Sequence, residues 1–97
     1  MLINRRTYRV KRGETEKAIA CLKSMFAQSP LDRPIRMYTD GGIGVLDTVV
    51  VEVEYESLAQ YEQVFTAWMA TVSDEHGNQW RQLTQDPITS EFWKLVE

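Results

Sequence analysis

Three polar side chains alternate along the first strand-like segment at a spacing that could orient a small ligand. Asn4, Arg6 and Tyr8 share one face of a predicted strand over residues 2–11, since alternate residues of a strand point to the same side of its sheet. An amide, a guanidinium and a phenol are costly to bury unless they meet partners, water or a ligand. We therefore predict that these three side chains line a pocket.

Aromatic side chains recur at helical spacing in the second half of the chain. Tyr61, Phe65 and Trp68 belong to the apolar stripe of a predicted helix that starts after Ser57. Such a stripe packs against a sheet as core, and its rings can also line a cavity for an apolar or aromatic compound. The two roles are compatible, so these three rings join the candidate pocket residues.

Other reactive groups are few. His76 follows Asp74 and Glu75 and could transfer protons, although such a charged segment is typical of a solvated helix end. The single cysteine, Cys21, lies in an apolar helical pattern that is typical of a buried, inert thiol. Because the one histidine and the one cysteine lie far apart, we expect no metal site. The glycines of residues 41–44 lack a phosphate-loop motif and precede a strand, which indicates a hairpin.

A long strand leading into a helix organises these candidates. Apolar and polar residues alternate with a period of two over residues 45–56, and one face of this predicted strand is almost wholly apolar. After residue 57 the apolar residues recur at helical spacing. Ser57 and Gln60 have the spacing of a capping box at the helix start. The same periodicities predict strands over residues 2–11, 35–39, 45–56 and 88–96, helices over residues 14–28 and 58–72, and a further helical turn over residues 79–83.

This order predicts an α+β fold of the ferredoxin-like type, β-α-β-β-α-β. Right-handed crossovers place both helices on one face of a four-stranded antiparallel sheet. The other face stays open, and we expect a second copy of the chain to cover it, giving a homodimer. Residues 1–97 are predicted to form a single domain, because a chain of this length matches one domain.

Composition limits the partners of the protein. The formal net charge of −3 argues against nucleic acid as a main partner, although five basic residues crowd residues 5–12. No stretch approaches the roughly twenty apolar residues that span a bilayer, so no membrane partner is expected. The first ten residues lack the apolar run of a signal peptide, and a lone cysteine suits a reducing compartment. We expect a cytoplasmic protein.

Two segments resemble NIPSNAP-type domains. The run from Arg6 to Lys11, before Gly13, is similar to their opening strand, and residues 54–61 are similar to their strand-to-helix junction. Trp80 falls near a tryptophan that is common after their second helix. NIPSNAP domains belong to the dimeric α/β-barrel superfamily, which also holds cofactor-independent monooxygenases, haem-degrading enzymes and isomerases. The resemblance implies a ligand pocket between the helices and the sheet, with Trp80 near it.

The haem-degrading members of that superfamily offer a specific comparison. They are known for an asparagine on the first strand, a tryptophan on the second helix and a histidine beyond it. Asn4, Trp68 and His76 stand in this order. The interval from Trp68 to His76 is shorter than in the haem-degrading enzymes, however, and Gly77 suggests that the helix has already ended. We therefore expect no cofactor, and haem is an alternative that absorbance titration with haemin can test.

Two hypotheses for function follow. The first is a cofactor-independent monooxygenase or isomerase that acts on a small apolar or aromatic compound, oriented by Asn4, Arg6 or Tyr8 under Trp68 and Tyr61. The alternative is a non-catalytic homodimer that binds a small ligand or acts as an interaction module. An enzyme should enclose a cavity of about 300 Å³ where these side chains converge.

Overall fold

An antiparallel sheet of four strands forms the base of the molecule. The computed structural model describes residues 1–96. The strands are β1 (Leu2–Val10), β2 (Ile35–Thr39), β3 (Thr48–Tyr55) and β4 (Thr84–Lys94), in the order β2-β3-β1-β4. Asn4 of β1 lies opposite Val53 of β3 and Phe92 of β4. The central position of β1 and the antiparallel pairing confirm the predicted ferredoxin-like fold.

Three helices lie against one face of this sheet: α1 (Thr15–Gln28), α2 (Leu58–Met69) and α3 (Asp74–Leu83). Alternate residues of β3 point toward them and are buried: Val49, Val51, Val53 and Tyr55. The apolar face predicted for this strand is therefore the helix-covered face. Asn4, Arg6 and Tyr8 share it, because each lies opposite one of these buried residues in the register between β1 and β3.

The two long helices differ in how deeply they are buried. Helix α1 buries four residues, Ala18, Cys21, Leu22 and Met25, whereas no residue of α2 is fully buried. Leu58 and Met69 also fall at the helical spacing of the predicted apolar stripe, but these two residues are 54% and 48% exposed. The helix therefore rests on the sheet mainly through half-buried aromatic rings. It is the more loosely packed of the two.

Helix α3 is longer than the sequence indicated. Residues 73–78 were predicted to be a polar break, but α3 begins at Asp74 and includes Gly77. The Ser73 hydroxyl caps its start by accepting a hydrogen bond from the backbone N–H of His76 at 3.2 Å. This cap and the acidic first turn offset the low helix propensity of a glycine. The fold therefore has the order β-α-β-β-α-α-β.

Several predicted boundaries shift by a few residues. The first helix begins at Thr15, helix α2 ends at Met69, and β4 begins at Thr84, four residues earlier than predicted. Strand β3 begins at Thr48, since Asp47 has a positive φ of 54° that a strand does not allow. Val45 and Leu46 therefore lie in an exposed loop.

The predicted cap joins β3 to α2. Ser57 Oγ accepts a hydrogen bond of 3.1 Å from the backbone N–H of Gln60. The Gln60 side chain returns toward the strand and accepts a hydrogen bond of 2.6 Å from the backbone N–H of Glu56. These two bonds fix the direction in which α2 leaves the sheet.

The open face of the sheet carries Ile3, Arg5, Val50, Glu52 and Trp93, and no helix packs on it within residues 1–96. Arg5 and Glu52 form an ion pair of 2.7 Å at its centre. This face is mixed in polarity, because charged side chains alternate with the apolar ones. Across residues 1–96, no helix is long and apolar enough to cross a membrane.

Candidate functional site

Asn4 anchors a polar network inside the helix-covered face. Its side chain is only 2% exposed, yet all its polar atoms are satisfied. The amide nitrogen donates hydrogen bonds of 3.1 Å to the hydroxyl of Ser90 and to the carbonyl of Glu91. The amide oxygen accepts a hydrogen bond of 3.3 Å from Nε of Arg6. Asn4 therefore links the edge strand β4 to Arg6.

Arg6 reaches from β1 to helix α2. Its Nη2 donates a hydrogen bond of 2.7 Å to the hydroxyl of Tyr61, and its guanidinium lies 4.2 Å from the ring centroid of Phe65. A cation over an aromatic face gains electrostatic stabilisation. Within residues 1–96, no carboxylate forms an ion pair with Arg6. The positive charge of Arg6 is thus surrounded by neutral hydrogen-bond acceptors and an aromatic ring.

Tyr8 lies on the same face, deeper under the helices. Its ring meets the ring of Trp80 edge-on, with centroids 4.9 Å apart. Burial raises the pKa of Tyr8 above its ordinary value, and the nearby positive charge of Arg6 opposes that effect. The phenol therefore stays protonated at neutral pH and can donate a hydrogen bond.

Trp68 fastens α2 to the segment that follows α1. Its indole N–H donates a hydrogen bond to the carbonyl of Ser29. Its ring stacks on Phe26 at 5.1 Å between centroids and is tilted against Phe65 at 6.1 Å. Trp68 is therefore held on one side by α1 and on the other by its own helix.

Two spaces meet at Trp68. The inner cavity, between the helices and the sheet, has a volume of about 30 Å³ and is lined by Asn4, Arg6, Tyr8, Leu22, Phe26, Leu31, Val51, Val53, Tyr55, Phe65 and Trp68. The outer groove, between α2 and the segment after α1, has a volume of about 680 Å³ and is lined by Gln28, Ser29, Pro30, Leu31, Asp32, Gln60, Gln63, Val64, Ala67, Trp68 and Thr71. The inner cavity has room for a water molecule or two, far less than the expected 300 Å³ or so. The inner cavity is therefore too small to support the enzyme hypothesis as a preformed pocket.

His76 lies elsewhere and has a structural position. Its Nε2 is 3.1 Å from the hydroxyl of Ser24 and its Nδ1 is 3.0 Å from the hydroxyl of Ser73. Both ring nitrogens are thus engaged: the Nε2 contact joins α3 to α1, and the Nδ1 contact lies within the N-terminus of α3. His76 does not line the inner cavity with Asn4 and Trp68. The structure does not bring together the three residues that the comparison with haem-degrading enzymes singled out.

The structure brings most of the predicted pocket residues together. Asn4, Arg6, Tyr8, Phe65 and Trp68 line the inner cavity, and Tyr61 contacts it through Arg6. Trp80 touches the cavity only through Tyr8, and His76 lies outside it. Whether any of them has a functional role stays a prediction.

Sequence reasoning missed part of the lining. Phe26 lines the inner cavity and was not among the predicted pocket residues, although it lies in the apolar pattern of the first helix. Leu31 lies in an irregular connection, where periodicity gives no signal. Ser29 contributes a backbone carbonyl, which side-chain patterns cannot reveal.

Comparison with solved structures bears on the fold. A NIPSNAP domain protein from Burkholderia xenovorans matches with a TM-score of 0.71 at 19% identity, over 99% of this chain and 95% of its own. A NIPSNAP family protein from Agrobacterium tumefaciens matches with a TM-score of 0.79 at 17% identity, over 99% and 93%. A protein described as a candidate antibiotic biosynthesis monooxygenase from Nitrosomonas europaea matches with a TM-score of 0.69 at 14% identity, over the whole of both chains.

No protein-family model matches the chain, and no curated protein is significantly similar to it. At identities this low, the structural matches show the fold alone. They span nearly the whole of both chains. The chain therefore has the ferredoxin-like fold that it shares with these NIPSNAP and monooxygenase-named structures.

Proposed function

We propose that this chain is a small-ligand-binding protein that takes up an apolar or aromatic compound between α2 and the sheet. The observation that carries this proposal is the position of Trp68 and Leu31, which line both the outer groove and the inner cavity. A rotation of the indole would join the two spaces. The joined space would lie within the usual range of small-molecule sites, roughly 300–1,000 Å³.

The packing of α2 supports such an opening. Since none of its residues is fully buried, a shift of α2 would expose less buried area than a shift of α1, which contributes four buried residues to the core. The bond between Trp68 and the Ser29 carbonyl is a single neutral hydrogen bond, of the kind that contributes about 0.5–1.5 kcal/mol. Ligand contacts with the aromatic rings can offset the loss of that bond.

The test is a titration of the ¹⁵N-labelled protein with naphthalene-2-carboxamide, a neutral aromatic probe. The indole N–H signal of Trp68, identified by its loss in Trp68→Phe, should shift on addition of the probe. The indole signal of Trp93, on the open face, is the internal control and should stay in place. No shift of the Trp68 signal with this probe or with naphthalene-2-carboxylate, up to their solubility limits, would contradict the proposal.

A pair of variants sharpens the test. Trp68→Phe removes the hydrogen bond to Ser29, so the wall opens at lower cost and the affinity for the probe should rise about two- to tenfold. Trp93→Phe makes the same chemical change away from the groove and should leave the affinity unchanged. An equal effect of both substitutions would show that Trp68 does not form the wall.

We also propose that the protein is a homodimer in which the open faces of two sheets pack together. Ile3, Val50 and Trp93 offer apolar area there, and Arg5 and Glu52 offer both signs of charge for contacts across a twofold axis. A groove of about 410 Å³ on this face could receive side chains of the second copy. A cytoplasmic location is part of this proposal, and the lone cysteine supports it.

A second candidate function is catalysis without a bound metal, as a monooxygenase or an isomerase. The observation that favours it is the contact between Arg6 and Tyr61, because a guanidinium beside a phenol can stabilise an enolate or phenolate oxygen as charge develops. Oxygen uptake with 1-naphthol and deuterium exchange at the α-carbons of 2-tetralone test the two reactions. Either activity should be lost in Arg6→Met, and the absence of both from the wild-type protein would exclude this candidate for these compound classes.

A further inference from the structure

We infer that the ligand carries a carboxylate or a comparable acidic oxygen, and that the guanidinium of Arg6 binds it. This inference rests on the proposed function, because it names the class of compound that would enter between α2 and the sheet. It assigns Arg6 as the residue that sets specificity and the aromatic rings as the source of apolar contact.

The first argument is the contrast between two neighbouring arginines. Arg5 points to the open face and pairs with Glu52 at 2.7 Å. Arg6 points to the helix-covered face, where its hydrogen-bond partners are neutral: the hydroxyl of Tyr61 and the amide oxygen of Asn4. An arginine that is half-buried without an anion leaves its charge uncompensated. A ligand carboxylate would supply the missing charge.

The second argument concerns the unused donors of Arg6. A guanidinium presents five N–H groups in one plane. The bonds of Arg6 to Asn4 and Tyr61, together with its contact with Tyr8, account for only part of them. Within residues 1–96, every fully buried side-chain nitrogen and oxygen has a partner. The remaining N–H groups of Arg6 are therefore accessible to solvent or to a ligand, in a plane suited to a carboxylate.

The third argument is the setting of this charge. Phe65 covers one side of the guanidinium at 4.2 Å, and apolar side chains form most of the inner cavity around it. Coulomb attraction is stronger here than in open water, because the surroundings have a lower effective dielectric constant. An acid with an apolar or aromatic body would satisfy both parts of the site. A small inorganic anion would satisfy only the charge.

The experiment compares two probes of nearly equal size, naphthalene-2-carboxylate and naphthalene-2-carboxamide, by calorimetry at pH 7.5. The wild-type protein should bind the carboxylate at least about tenfold more tightly, since hydrogen bonds to a charged group contribute about 1.5–3 kcal/mol. Arg6→Met should still bind the carboxamide but lose the preference. Arg6→Lys, which keeps the charge without the planar fork, should keep part of it. Arg9→Met, on the opposite face of β1 from Arg6, is the matched control and should bind as the wild type does.

The outcomes separate this inference from the proposed function. Equal affinity of the wild type for both probes would overturn the inference and leave small-ligand binding standing. A preference that survives in Arg6→Met would also overturn it. Binding of neither probe would contradict small-ligand binding of this class, and the inference would fall with it. Tighter binding of inorganic phosphate than of the carboxylate would show a site for small anions and overturn the assignment of an organic acid. If Arg6→Met does not fold, Arg6→Gln replaces it and should likewise lose the preference for the carboxylate, whereas Arg6→Lys should keep part of it. A full preference in Arg6→Gln would overturn the inference.

Discussion

The hydroxyl of Tyr61 accepts a hydrogen bond of 2.7 Å from the guanidinium of Arg6, and this contact ties helix α2 to the central strand of the sheet. Tyr61 also meets Tyr55 edge-on at 5.3 Å and stacks on Phe65 at 5.3 Å between centroids. Because α2 has no fully buried residue, this combination of one charged hydrogen bond and several ring contacts holds much of the helix in place. The contact between Arg6 and Tyr61, which would also face a ligand, therefore stabilises the packing of α2 on the sheet.

Removing the hydroxyl of Tyr61 tests that contact. We expect Tyr61→Phe to lower the free energy of unfolding by about 1–2 kcal/mol, because a hydrogen bond to a charged donor is lost while the ring contacts remain. Urea denaturation followed by circular dichroism measures the change. The comparison variant is Tyr38→Phe, whose hydroxyl lies beside Glu52 on a side chain of β2 that is 45% exposed, so its loss should cost less, because exposed polar contacts contribute little. A loss for Tyr61→Phe no larger than for the control would show that the bond contributes nothing to folding.

Much of the fold could be predicted because the periodicity of each segment is strong. The alternation in β3 gave the correct buried face, and the spacing of Ser57 and Gln60 gave the correct start of α2. Period two correctly put Asn4, Arg6 and Tyr8 on one face of β1, and the pairing with β3 shows that this face is the helix-covered one. These features follow from local geometry, which the sequence carries directly.

The parts that failed depend on contacts between distant segments. Residues 73–78 are polar and contain Gly77, so their composition indicates a loop, but the Ser73 cap and the bonds of His76 to α1 stabilise a helix. The cavity volume depends on how Trp68 packs against Phe26 from another helix. No pattern within one segment determines such packing.

The cap of α2 provides a second prediction. Ser57→Ala should lower the free energy of unfolding by about 1 kcal/mol, since the backbone N–H of Gln60 loses its acceptor. Thr66→Ala, at an exposed position of the same helix, is the control for helix propensity and should have a smaller effect. Thermal unfolding measures both. An unchanged melting temperature for Ser57→Ala would mean that this cap does not stabilise the helix.

The ion pair on the open face predicts a dependence of stability on pH. The hydrogen bond from Arg5 holds the pKa of Glu52 below its ordinary value of 4.5. A carboxylate whose pKa is depressed by folding stabilises the protein above its ordinary pKa, and that contribution disappears as the pH falls through the folded-state pKa. The wild type should therefore be more stable than Glu52→Gln at pH 7, and the difference should shrink progressively below about pH 5.

Urea denaturation at a series of pH values measures that difference. Glu62→Gln, at an exposed position of α2, is the control and should show a much weaker dependence. A difference between the wild type and Glu52→Gln that stays constant from pH 7 to pH 3 would show that the pKa of Glu52 is not depressed in the folded protein.

The open face of the sheet makes the oligomeric state testable. Val50 lies on this face beside the pair formed by Arg5 and Glu52, and its side chain is half-buried. If two copies pack through this face, Val50→Asp places an unpaired carboxylate at the interface next to Glu52, and like charges there are costly. Multi-angle light scattering at micromolar concentration should give a dimer for the wild type and a monomer for Val50→Asp.

Ala20→Asp is the matched control, because it introduces the same charge at an exposed position of α1, on the other side of the molecule. This variant should remain a dimer, and circular dichroism should confirm that both variants are folded. A wild-type protein that is monomeric at these concentrations would rule out the proposed homodimer. A dimer that persists in Val50→Asp would place the interface elsewhere, because a carboxylate desolvated beside Glu52 without a partner could not be tolerated at the contact proposed here.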